Sequence, residues 1–168
     1  MPHLPLFPMK RHAATFYLAL VLLLTGLLIQ PSSGRALSSG QKGQIILYSY
    51  GPARVQVTGP DGSRAGAELV GGGELEEIEG SDVMVERSSD RSDGWTITLK
   101  NPVPGVYRIN VLGTGTGGVV MDLEALDSSG RGRSSHVFKR VKEGDSLEYV
   151  LDYSPDPKSD NQLKETAN

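Results

Sequence analysis

Residues 95–111 read WTITLKNPVPGVYRINV, and this stretch decides the fold. Large apolar residues occupy every second position on both sides of its centre: Trp95, Ile97 and Leu99, then Tyr107, Ile109 and Val111. Apolar alternation with a period of two residues is typical of a strand with one buried face. The central NPVPG at 101–105 predicts a turn, because proline fixes φ and glycine accepts positive φ. The stretch therefore predicts two half-buried strands connected by a turn.

The same pattern extends outward in both directions. It predicts further strands at 45–48, 54–57, 83–85, 119–125, 137–141 and 147–151, and a tight turn at 59–62. The Gly- and Glu-rich segment 69–80 is expected to be a solvated loop. Short strands at this spacing, with no window for a helix of ten residues, indicate an antiparallel sandwich or barrel. We predict an all-β domain, an antiparallel β-sandwich of about seven strands.

The predicted core follows from the buried side of each alternation. It consists of Val55, Val57, Trp95, Ile97, Leu99, Tyr107, Ile109, Val111, Met121, Leu123, Leu147, Tyr149 and Leu151.

An apolar segment precedes the domain. Lys10 and Arg11 are followed by an apolar run over 13–29 and then by small polar residues. A basic region, an apolar region and a region of small residues form the layout of a signal peptide, which predicts cleavage after Ala36. An uncleaved membrane anchor is the alternative, since 17 apolar residues are about enough for a spanning helix. Both interpretations predict an N-terminal hydrophobic export helix and place the domain outside the cytoplasm, periplasmic or secreted, or membrane-anchored with the domain outside.

Four segments are therefore expected. They are a signal peptide or anchor at 1–36, a flexible lead-in at 37–44, a β-sandwich domain at 45–153, and a polar, disordered tail at 154–168. The chain has no cysteine, which excludes disulfides, a thiolate nucleophile and Cys-ligated metal. After residue 36 it carries 14 Lys or Arg and 20 Asp or Glu, a formal charge of −6. An acidic domain argues against nucleic acid as a partner.

Two segments resemble a known type of module. VQVTGPDGSR at 55–64 and NPVPGVYRINVLGTGTG at 101–117 are similar to strand and turn motifs of secreted bacterial β-sandwich modules, immunoglobulin-like or pre-peptidase C-terminal-like. The resemblance covers roughly residues 45–151. It implies a β-sandwich with an accessory role, in which the module spaces, adheres or assists a catalytic domain.

Three patterns could carry chemistry, and none is complete. Gly113–Gly118 reads GTGTGG and matches G-x-G-x-x-G, but a strand pattern follows where a dinucleotide site needs a helix. His136 is the only histidine after residue 36, so one histidine without cysteine cannot build a zinc site. A Ser-His-Asp triad would have to use His136, and no nucleophile elbow accompanies it.

Charged clusters complete the candidates. Glu74, Glu76, Glu77 and Glu79, and the loop at 90–94, supply carboxylates without the spacing of an EF-hand loop. Arg131, Arg133, Lys139, Arg140 and Lys142 form a basic patch that Glu143 and Asp145 partly cancel. We expect a solvated surface in both cases.

The sequence thus predicts an exported, non-catalytic interaction or adhesion module of the cell envelope or secretome. We expect no enzyme activity, no cofactor and no metal or catalytic residue, and a partner that is another envelope or secreted protein. A single N-terminal anchor and the oligomeric state are left open. The alternative is a carbohydrate- or calcium-binding module, based on the acidic loops, Trp95 and the tyrosines.

Overall fold

The computed structural model describes residues 43–89 and 92–166. The export segment 1–36, most of the lead-in and the last two residues lie outside this range, and so do the predictions made for them. The described residues form eleven strands and no helix. The strands are β1 Gln44–Gly51, β2 Ala53–Thr58, β3 Arg64–Ala67, β4 Glu74–Glu76, β5 Ser81–Glu86, β6 Asp93–Lys100, β7 Gly105–Gly113, β8 Gly117–Leu126, β9 Gly132–Val141, β10 Ser146–Tyr153 and β11 Leu163–Glu165.

The strands form two antiparallel sheets. The five-stranded sheet has the order β5-β6-β1-β8-β9, and the six-stranded sheet has the order β11-β10-β7-β2-β3-β4. One continuous core of apolar side chains from both sheets fills the space between them. The architecture is therefore all-β and β-sandwich-like, as the alternation predicts.

The core prediction is confirmed almost completely. Twelve of the thirteen predicted core residues are buried, and Leu147 is partly buried against the same cluster. Trp95 is 4% exposed, so it lies in the core. Tyr107 donates a hydrogen bond from its hydroxyl to the Val103 carbonyl, 2.9 Å away and four residues upstream. This bond closes the predicted 101–105 turn, where Gly105 has a φ of 144°.

The strand count is higher than the predicted number of about seven: eleven strands are present, three more than the eight segments named above. The additional strands are β3, β4 and β11, which are short and carry few large apolar residues. β4 lies inside the segment expected to be a loop. Their sequences show no alternation because they hold few large apolar residues: β3 buries only small residues, Ala65, Gly66 and Ala67, and in β11 Leu163 alone packs partly against the core.

The tail also differs from the expectation of disorder. Residues 154–166 are described, and β11 pairs with β10 through Leu163 opposite Leu151. Asn161 is 2% exposed, accepts from the Ser154 amide and donates to the Ser154 carbonyl, each at 2.9 Å. The polar composition of residues 154–166 did not predict this order, because the segment is held by the Asn161 side chain and by the three paired residues of β11.

Candidate functional site

The outer face of the five-stranded sheet carries an exposed aromatic pair on its central strand. In β1, Ile45 and Leu47 point into the core, so the even-numbered residues point to solvent. Tyr48 and Tyr50 are 48% and 56% exposed. Two residues along a strand span about 6.8 Å, so the two rings stand side by side on this face.

Two further apolar side chains extend this patch to both edges. Met84 on β5 is 60% exposed, and Phe138 on β9 is 58% exposed. The register aligns Met84 with Tyr48 through Thr96, and Phe138 with Tyr50 through Val120. Four of the seven large apolar side chains that are exposed in residues 43–89 and 92–166 therefore share one face. Exposed apolar groups gathered with a polar rim mark interaction surfaces.

Glycines shape the patch at two places. A Cβ at Gly94 would lie 3.5 Å from the Glu86 Cβ and 3.8 Å from the Tyr50 Cδ2. Its absence leaves a shallow depression of about 330 Å³ that Tyr48, Tyr50, Glu86, Thr96 and Asp122 help to line. On the other side, a Cβ at Gly118 would lie 2.9 Å from the Phe138 Cε2, so the Phe138 ring lies over this glycine.

His136, the one histidine available for a triad, also lies on this face. Its Nδ1 is 2.6 Å from the Asp122 Oδ1 across the β8–β9 pair. In the described part of the chain no serine hydroxyl bonds the ring, and Ser135 instead accepts from the Leu163 amide at 3.3 Å. A histidine–aspartate pair without a nucleophile has the base and its orienting group only, which is insufficient for acyl transfer.

The glycine-rich motif at 113–118 forms a hairpin connection. Gly113 ends β7 and Gly117 begins β8, so a strand follows the motif, as the alternation over 119–125 predicts. The Gly113 and Thr114 amides bond the Asp145 and Pro52 carbonyls at 2.8 and 2.9 Å. These amides are thus occupied by the chain itself, and the helix N-terminus that would receive a pyrophosphate is replaced by a strand.

The acidic cluster is distributed among internal contacts. Glu77 forms a bidentate pair with Arg64 at 2.7 and 3.0 Å, which holds the pKa of Glu77 below its ordinary value. Glu74 lies 3.2 Å from Arg87, and Glu76 accepts from the Val83 amide at 3.0 Å. Within the two described ranges, no three or more His, Asp or Glu side chains converge to hold a metal ion.

The basic patch is also divided. Lys139 lies 2.7 Å from Glu165, and the Arg131 Nε lies 3.1 Å from the Ser129 hydroxyl. Arg140 points to the outer face beside Phe138, opposite Gly118 in the register. The five basic residues therefore do not form one continuous surface.

The edges of both sheets are protected against a further strand. β4 and β11, the edges of the six-stranded sheet, have three residues each. On the five-stranded sheet, Glu76 occupies the Val83 amide of edge strand β5, and edge strand β9 carries Lys139 on its inner side, paired with Glu165. Short edges and inward-pointing charges are the features that prevent edge-to-edge pairing. The exposed face is thus a better candidate for binding than an edge.

A second depression of about 340 Å³ lies at one end of the domain, between the turns at 59–63, 78–80 and 100–103. Several of its polar groups already bond within the chain. Asp61 accepts from the amide of Ser63 and from its hydroxyl, and Tyr107 bonds Val103. We therefore place the candidate site on the sheet face, which gathers Tyr48, Tyr50, Met84 and Phe138.

Comparison with protein-family models, curated proteins and solved structures finds no match to this chain. The likeness to secreted bacterial modules therefore stays a prediction. Within residues 43–89 and 92–166 no helix has the length and apolar character to span a membrane.

Sequence reasoning did not locate the aromatic face. The signal was present in Tyr48-Ser49-Tyr50, where aromatic residues occupy the solvent-facing positions of a strand whose opposite positions are apolar. Recognising it required the facing of β1 to be fixed first.

Proposed function

We propose that this chain is an exported, non-catalytic β-sandwich protein, immunoglobulin-like in type, that acts as an interaction or adhesion module of the cell envelope or secretome. Its binding surface is the outer face of the five-stranded sheet. The single observation that carries the proposal is the gathering of Tyr48, Tyr50, Met84 and Phe138 on one face. Export rests on the apolar segment at 13–29, by a cleaved signal peptide or by an uncleaved anchor.

The composition of this face favours a protein partner. Tyr, Phe and Met are enriched at the centres of protein–protein interfaces, and charged residues are found at the rim. Here Asp82, Glu86, Lys100 and Arg140 surround the apolar group. The spread of apolar side chains from β5 to β9 covers four strand spacings, about 19 Å. This breadth suits another protein surface better than a small ligand.

Site-specific photo-cross-linking in intact cells tests the proposal. Tyr50 is replaced by p-benzoylphenylalanine, and Val106, which is 43% exposed on the outer face of the six-stranded sheet, is replaced in the matched control. We expect an adduct with another polypeptide from position 50 and none from position 106. Equal adducts from both positions, or none from position 50, would contradict it. The intact mass of the same purified protein shows whether the signal peptide is cleaved after Ala36.

A carbohydrate ligand is the second candidate, and one observation favours it. Tyr50 borders a depression that also carries the Glu86 and Asp122 carboxylates, which could accept hydrogen bonds from sugar hydroxyls. Retardation of the protein in gels containing a neutral polysaccharide, lost in Tyr50→Ala and kept in Val106→Ala, would favour this function over the first. Calcium has no comparable observation, since Glu74, Glu76 and Glu77 already bond within the chain.

A further inference from the structure

The register turns the outer face of the five-stranded sheet into a grid of five columns. The outward residues are Asp82, Met84 and Glu86 on β5, Gly94, Thr96, Thr98 and Lys100 on β6, Ile46, Tyr48 and Tyr50 on β1, Val120, Asp122 and Glu124 on β8, and Ser134, His136, Phe138 and Arg140 on β9. Tyr48 and Tyr50 lie in the central column. The other four columns lie in pairs at equal distances from it.

In each pair of columns, the two members carry opposite charge. The β5 column is acidic through Asp82 and Glu86, whereas its counterpart β9 carries the basic Arg140. In the inner pair the signs are reversed: β6 carries Lys100, and β8 carries Asp122 and Glu124. Each column is therefore opposite in charge to the column at the same distance on the other side of β1.

We propose that this face binds the same face of a second copy of the chain, about a twofold axis that runs along β1. This inference rests on the proposed function and names the partner. A twofold axis in the plane of the interface places β5 of one copy over β9 of the other, and β6 over β8. Such an interface is isologous, so every complementary contact occurs twice.

The grid gives the contacts that would form. Glu86 of one copy lies over Phe138 and next to Arg140 of the other, because Glu86 and Phe138 share one row and Arg140 is the next outward residue on β9. A carboxylate and a guanidinium at this position form the charge-assisted pair that arginine favours.

The inner columns add hydrogen-bonding partners. Thr96 lies over Asp122, and Thr98 lies over Glu124 with Lys100 in the adjacent row. At the axis, Tyr48 and Tyr50 meet their own counterparts, and aromatic pairs contribute beyond the area that they bury. Within the described ranges Glu86, Glu124 and Arg140 form no ion pair inside one copy, so they are available for these contacts.

The size of the face sets the expected strength. Four strand spacings by eight residues give about 19 by 27 Å, or about 500 Å² in projection. Standard interfaces bury about 800 Å² of accessible surface per partner, and protruding side chains bring this face near the lower end of that class. We expect a reversible dimer rather than an obligate one.

The test is a charge exchange, measured by sedimentation equilibrium on the exported protein purified from cells that express the full chain. We expect Glu86→Arg and Arg140→Glu each to weaken dimerisation about tenfold or more, since like charges then face each other. The double variant restores a pair of opposite charge at both symmetric positions and should return to within about threefold of the unaltered protein. The matched control is Glu148→Arg, a charge change on the outer face of the six-stranded sheet, which should leave dimerisation unchanged.

Two results would overturn the inference. One is that the unaltered protein is a monomer at all concentrations. The other is that the double variant dimerises no more tightly than the single variants, while thermal unfolding shows that all variants are folded. A monomer that still gives a Tyr50 adduct with a different polypeptide rejects the second copy and keeps the proposed function. A monomer without any such adduct rejects both.

Discussion

The two sheets place their tyrosines on opposite sides. In the six-stranded sheet Tyr107, Tyr149 and Tyr153 point inward and are 1–2% exposed, whereas Tyr48 and Tyr50 of the five-stranded sheet point outward. The charged groups differ in the same way. Arg108 and Glu148 pair at 2.9 Å across the outer face of the six-stranded sheet. On the outer face of the five-stranded sheet, Asp122 and His136 lie 2.6 Å apart, but Glu86 and Arg140 have no ion-pair partner among the described residues.

This difference separates what the fold needs from what it does not. A buried tyrosine removes a large apolar surface from water and stabilises the sandwich. An exposed tyrosine pair contributes little to folding and costs solubility, and its presence on one face supports the proposed binding surface. The six-stranded sheet therefore serves the core, and in our proposal the five-stranded sheet serves both the core and an interface.

The largest expected effect compares one tyrosine from each sheet. Tyr107→Ala should lower the free energy of unfolding by about 3–5 kcal/mol, because it leaves a cavity and removes the bond to Val103. Tyr50→Ala should change it by no more than about 0.5 kcal/mol at concentrations where the protein is monomeric. Denaturant unfolding measures both. Equal losses would show that Tyr50 stabilises the fold, which would contradict its interpretation as part of a binding surface.

The buried tyrosines could be predicted from the sequence, whereas the exposed face could be predicted only in part. Alternation in 95–111 and 147–151 predicted the buried tyrosines Tyr107 and Tyr149, because a period of two residues is a local property. Which strands share a face depends instead on pairing between distant segments. Met84 and Phe138 are 54 residues apart in the chain, and only the β5-β6-β1-β8-β9 order brings them to one surface.

Strand pairing also explains why the short strands were missed. β3 consists of Arg64–Ala67, in which the buried apolar side chains are those of the small residues Ala65 and Ala67, and β11 consists of LKE. Neither holds a signal above that of a loop. The ion pairs could not be predicted for the same reason, since Glu77 contacts Arg64, and Lys139 contacts Glu165, only once the strands are paired into sheets.

Alkaline pH gives the next effect, and it concerns the inward tyrosines. Burial raises the pKa of Tyr107 to about 12, and burial with the nearby Glu165 carboxylate raises that of Tyr149 to about 12, from an ordinary 10.0. Below pH 10 both phenols are neutral in the folded and unfolded chains, so their contribution to stability is complete. Between about pH 10 and 12 the unfolded chain loses these protons first, and stability falls. Unfolding followed by near-ultraviolet circular dichroism should show this fall.

A phenylalanine variant isolates the cause. The Tyr149 hydroxyl has no hydrogen-bond partner in the described structure, so Tyr149→Phe should leave stability at pH 7 unchanged or slightly higher. The same variant should lose less stability than the unaltered protein between about pH 10 and 12. An identical alkaline loss in both proteins would assign the effect to other groups.

The smallest effect belongs to the paired charges on the outer face of the six-stranded sheet. The Arg108 and Glu148 side chains are 55% and 30% exposed, and an ion pair in contact with water contributes no more than about 1 kcal/mol. A double-mutant cycle with Arg108→Ala and Glu148→Ala should therefore give a coupling below that value, and salt should reduce it further. Neither variant should alter dimerisation, since both charges are already satisfied within one copy. If Arg108→Ala weakened association as strongly as Arg140→Glu, both faces would take part in binding, and the division of roles between the sheets would be wrong.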